Sequence, residues 1–60
     1  MKIKFIKDFG TGAIGIKIGE EFEVVTKKEA DKWNDYVRYQ IRITGILGVI
    51  NVPSAYVIEL

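Results

Sequence analysis

Apolar and polar positions alternate along most of this chain. In KIKFIKDF, residues 2–9, Ile3 and Phe5 fall on one side while Lys2 and Lys4 fall on the other. That period of two marks a half-buried strand. GTGAIG, residues 10–15, interrupts it. IKIGEEFEVV, residues 16–25, then carries a turn signal at Gly19 and a second strand with Phe22 and Val24 on one face. YVRYQIRI, residues 36–43, places Val37, Tyr39, Ile41 and Ile43 toward the core, with Tyr36, Arg38, Gln40 and Arg42 outside. Gly45 and Gly48 bracket a hairpin connection to a returning strand at 49–52. Pro53 stops that strand because it has no N–H for the ladder. After a tight turn at Ser54–Tyr56, Val57, Ile58 and Leu60 form a last short strand. Five short strands of this kind predict an all-β fold, a small closed or nearly closed barrel.

One segment departs from alternation. In TKKEADKWNDY, Thr26 and Glu29 have the spacing of a helix capping box, and Ala30, Trp33 and Val37 follow at helical intervals. The pattern fits either one or two helical turns near 27–34 or an irregular loop. Trp33 would then either anchor a short helix to the barrel or stand as a binding contact, since tryptophan serves both purposes.

Composition narrows the chemistry. The 60 residues form a single domain, 1–60, and include no Cys and no His. Disulfides are excluded, and zinc would lack its preferred ligands. No Ser–His or Cys–His pair can be drawn, and the only serine is Ser54. A barrel this small is expected to leave little room for a substrate pocket of roughly 300 Å³. A non-enzymatic protein without cofactor or metal is therefore expected. Glu20, Glu21 and Glu23 read as turn and outward strand positions, without metal-ligand spacing. GILGVINV falls far short of the roughly 20 apolar residues that span a bilayer, and the N-terminus lacks the apolar segment of a secretory signal. A soluble cytoplasmic protein is expected.

Gly10, Gly12 and Gly15 fit G-x-G-x-x-G, a dinucleotide fingerprint. Such a fingerprint needs a helix opening at the last glycines and a parallel sheet around it. Here it runs into a strand pattern, so the plainer expectation is a hairpin loop whose glycines supply positive φ angles.

The ending GVINVPSAYVIEL resembles the last strand, short 3₁₀ turn and closing strand of an SH3 domain. Pro53-Ser54-Ala55-Tyr56-Val57 matches the family's Pro-Ser-x-Tyr-Val turn residue for residue. IGIKIGEEFEVV, at 14–25, is similar to the family's diverging turn. FIKDF resembles its ALYDY motif, with Phe5, Ile6, Asp8 and Phe9 in corresponding places. The resemblance covers nearly the whole chain and implies a five-stranded SH3-like barrel. It also implies a groove for extended peptides built from Phe9, Pro53, Tyr56 and either Trp33 or Tyr36. Departures accompany it. Lys7 stands where the first motif tyrosine would be, the loop between Phe9 and Ile14 is short and free of acids, and the 39–53 hairpin is long. Small proteins of this kind in bacteria and their phages often act as adaptors or inhibitors.

The expected function is protein or peptide binding through Phe9, Trp33, Tyr36, Pro53 and Tyr56. Arg38 and Arg42 share a strand face with Tyr36, and a basic stripe with an aromatic can grip single-stranded nucleic acid. Such a stripe also serves as a solvated face that discourages edge pairing. The net charge of +1 gives little electrostatic attraction for nucleic acid. A peptidoglycan-binding role, known among bacterial SH3 domains, would require export.

Overall fold

The computed structural model describes residues 1–12 and 14–60. The chain is built almost wholly from strands: β1 (Lys2–Phe5), β2 (Phe9–Thr11), β3 (Ile14–Ile16), β4 (Glu21–Lys28), β5 (Arg38–Ile41), β6 (Ile50–Pro53) and β7 (Val57–Glu59). A 3₁₀ turn, Ser54–Tyr56, joins the last two. Five strands form one antiparallel sheet in the order β6-β5-β4-β1-β7, and β2 and β3 form a separate hairpin. Among the described residues, no helix is long and apolar enough to cross a membrane.

β4 organises the sheet. Its first half pairs with β1, aligning Lys2 with Glu23, Ile3 with Phe22 and Lys4 with Glu21. Opposite charges thus face each other across the ladder and favour this register over a slipped one. Its second half pairs with β5, and the register shifts between Val24 and Thr26. A bulge of this kind bends a strand and increases its twist. Val25, at the bulge, is exposed, while Phe22 and Val24 are half-buried.

The sheet is strongly curled. β6 and β7 lie at its opposite edges, yet only the three residues of the 3₁₀ turn separate them. A flat five-stranded sheet would hold its edges roughly 19 Å apart. The chain from Pro53 to Val57 reaches at most about 14 Å. Curling encloses Ile3, Phe5, Ile16, Tyr39, Ile41, Val52 and Val57 as the buried core. Among the described residues no ladder joins β6 to β7, so the sheet is not closed by hydrogen bonds.

The burial alternation in 36–43 is borne out in part, with Tyr39 and Ile41 buried and Val37 and Ile43 half-buried. The strand covers only Arg38–Ile41, so Tyr36 and Arg42 lie outside it and share no strand face with Arg38. Three further expectations need correction. The 2–9 strand breaks after Phe5, where the chain turns outward into the hairpin. Its base is fastened to β1 by Phe5 N donating to Glu20 O at 2.9 Å and Gly19 N donating to Phe5 O at 2.8 Å. Pro53 is the last residue of β6 instead of lying beyond it, an edge position where its missing N–H is tolerated. No helix forms near 27–34. Ladder bonding carries β4 through Lys28, so Thr26 is a strand residue paired with Gln40 and caps nothing.

The glycine motif forms the β2–β3 hairpin. Gly10 and Gly15 are direct cross-strand partners, and Gly12 turns with φ +55°. At Gly10 the constraint is space: a Cβ there would lie 2.7 Å from the Ile14 carbonyl oxygen. The segment leads into β3, not into a helix.

Candidate protein-binding surface

The hairpin, the loop before β5 and the 3₁₀ turn meet at one end of the sheet. Ser54 N donates to Val37 O at 2.9 Å, extending the β5–β6 ladder past its last pair, Arg38 with Pro53. Ile6 N donates to Tyr56 O at 2.8 Å, fixing the turn against the start of the hairpin excursion. Asp8 accepts from Ile18 N at 2.8 Å and holds the two sides of that excursion together.

These bonds bring four of the expected residues into one region. Phe9 and Tyr56 meet edge to face, with ring centroids 5.1 Å apart. Phe9 also reaches the core ring of Phe5 at 6.0 Å, and is half-buried as a result. It thus supports the surface from beneath as well as contributing to it. Pro53 and Tyr56 are half-buried, and Tyr36, in the loop two residues before β5, is 45% exposed.

Trp33 is different. Asp31 accepts from the backbone N–H groups of Trp33 at 2.8 Å and Asn34 at 2.7 Å, and Asp31 N donates to Asn34 O at 2.7 Å. These donors hold the Asp31 carboxyl below its ordinary range, the Asn34 bond contributing most. The tight turn leaves Trp33 81% exposed, so it anchors no element to the sheet. Its type and exposure suit a contact, but no described ring contact joins it to the other aromatics.

The rings of Tyr56, Tyr36 and Trp33 each carry a cation. Lys7 Nζ lies 5.7 Å from the Tyr56 centroid, the Arg38 guanidinium 5.8 Å from that of Tyr36, and Lys32 Nζ 5.1 Å from that of Trp33. Separations below about 6 Å give favourable cation–π attraction. Arg38 is half-buried and lies opposite Pro53, which places it within the aromatic surface. Arg42 lies past the end of β5 and is exposed, and Gln40 between them donates to Asn51 at 3.1 Å.

Two features escape the sequence pattern. An open cleft of about 300 Å³ lies between the hairpin and the 43–46 turn, lined by Ile14, Ile16, Phe22, Ile43, Ile46 and Glu20 among others. The expectation that so small a fold leaves little room for such a space is therefore corrected: residues of the hairpin, of β4 and of the β5–β6 connection line it together. The cleft's single carboxylate, Glu20, accepts from Lys17 N at 2.6 Å. The second feature is an ion-pair cluster at the sheet rim, where Lys27 and Tyr39 both reach Glu59. Among the described residues, no group of His, Cys, Asp or Glu suited to a metal ion occurs.

No protein-family model, curated protein or solved structure gives a significant match to the chain.

Proposed function

We propose that the chain folds as an SH3-like barrel and acts without catalysis, as a protein-binding module or small adaptor or inhibitor. Its contact surface is Phe9, Tyr36, Pro53 and Tyr56, with Trp33 at the flank. The observation that carries this reading is the Ser54–Val37 backbone bond, which joins the residue after Tyr36 to the start of the turn that follows Pro53 and ends at Tyr56. The strand order and the curl also support the barrel, because they bring the two sheet edges together through the Pro-Ser-Ala-Tyr turn. Tyrosine and tryptophan suit such contacts because they cover large area with few rotatable bonds. The test is affinity capture from the host lysate with the wild-type chain and with Tyr36→Ala/Tyr56→Ala. Loss of a captured protein with the folded double variant supports the reading, and its retention refutes it.

The Arg38–Tyr36 stack at 5.8 Å favours one second reading, single-stranded nucleic-acid binding with Arg42 as the further basic contact. Its mark is affinity for oligonucleotides that falls steeply with added salt. Absence of binding at low salt eliminates it.

A further inference from the structure

Lys7, Lys32 and Arg38 sit over the rings of half-buried Tyr56 and of exposed Trp33 and Tyr36, and among the described residues none of the three forms an ion pair. Lys27, by contrast, is paired with Glu59 at 2.7 Å. The aromatic surface therefore presents cations without a carboxylate in direct contact. Among the described residues the nearby acids make no direct ion pair with these cations, although the Arg38 charge reaches the Asp31 carboxylate through space. Asp8 and Asp31 already accept backbone N–H groups. Glu21 and Glu23 face Lys4 and Lys2 in the β1–β4 ladder. Asp35, next to Tyr36, is the exception and stands exposed.

Resting on the protein-binding reading above, we propose that the partner segment is acidic: an extended peptide carrying Glu or Asp beside the proline or apolar residues that meet the rings. A carboxylate arriving beside Tyr56 or Tyr36 meets a cation already held near its ring, so both partners lose less freedom on pairing. A basic ligand meets like charge and finds ring faces already occupied. A nucleic-acid strand fits less well, because base stacking needs open ring faces along a continuous basic groove. Here Phe9 and Lys7 both take up the Tyr56 ring, and Gln40, tied to Asn51, separates the two arginines.

The test uses the full chain, isotopically labelled, and three synthetic proline-containing peptides identical except for Glu, Gln or Lys flanks, with an oligothymidylate as fourth probe. The Glu peptide is expected to bind at least about tenfold more tightly than the Gln peptide, a difference of about 1.4 kcal/mol. It should shift the amide signals of Tyr36, Ser54 and Tyr56. Lys7→Gln should lower the ratio of Glu-peptide to Gln-peptide affinity, and Asp35→Asn should raise it. Equal or tighter binding of the Lys peptide overturns the acidic preference and leaves the surface reading standing. Tighter binding of the oligothymidylate overturns it in favour of nucleic acid. Failure of all three peptides to bind overturns the acidic-peptide proposal, and the surface reading then stands or falls on the capture experiment.

Discussion

The Tyr39 hydroxyl donates to Glu59 at 2.6 Å, although β5 and β7 are three positions apart in the sheet. In a flat sheet those strands would lie roughly 14 Å apart. The bond therefore spans the inside of the curl. Lys27, the cross-strand neighbour of Tyr39, adds a 2.7 Å bond to the same carboxylate and lies 5.7 Å from the tyrosine ring. Three strands are tied together at one rim, where no backbone ladder joins β5 to β7.

Removing that tie should loosen the fold without disrupting its core packing. Tyr39 is buried apart from its rim contact, and phenylalanine fills the same volume. Tyr39→Phe should cost about 1 kcal/mol, the usual net value of one such hydrogen bond. Urea unfolding followed by circular dichroism measures the difference.

The same cluster predicts the pH dependence of stability. The Lys27 bond, and then the Tyr39 bond, hold the Glu59 carboxyl below its ordinary value of 4.5. Below that value the unfolded chain binds more protons than the folded one, so stability falls as acid protonates Glu59. The Lys27 ammonium is raised above 10.5 mainly by its bond to Glu59, and the Tyr39 phenol is raised above 10.0, first by burial and then by Glu59. Their contributions are complete below those values and fade as pH rises through the folded ones. A stability plateau between the two limits follows. Glu59→Gln should flatten the acid limb, leaving the share that Asp31 supplies, and urea midpoints across pH will show it.

Gly10→Ala should destabilise more than Gly12→Ala. The first places a Cβ 2.7 Å from a backbone oxygen, which yields only if the hairpin distorts. The second meets open space at φ +55°, so its cost is conformational alone, about 1 kcal/mol. Thermal unfolding of the two variants gives the order.

Trp33→Ala should leave stability within about 0.5 kcal/mol of the wild type, as for other exposed positions outside the core. Phe5→Ala should remove about 3–5 kcal/mol. That is a large share of the stability of a domain this small, so collapse of amide dispersion in the NMR spectrum is expected.

Much of the fold was legible because period-two alternation reports burial directly. Ile3, Phe5, Tyr39 and Ile41 all fall in the core as their spacing implies. The 26–34 segment misled because Thr26 and Glu29 satisfy a helix-start pattern, while pairing with β5 provides β4 with a ladder through Lys28. Tertiary pairing outweighs a local signal of that size. At the surface, Pro53 and Tyr56 were readable from the turn motif. The cations over the rings were not, since Lys7 and Tyr56 are brought together by tertiary contacts, the Ile6–Tyr56 backbone bond and the Phe9–Tyr56 ring contact. The Tyr39–Glu59 tie escaped for the same reason, as it depends on the curl of the sheet.

The central claim is that Tyr36 and Tyr56 carry partner binding. Its most direct test is the affinity of a captured partner for the wild-type chain and for folded Tyr36→Ala/Tyr56→Ala, measured by calorimetry. Binding weaker by about 100-fold or more is expected, the scale of hot-spot loss. An unchanged affinity in the folded double variant would contradict the claim.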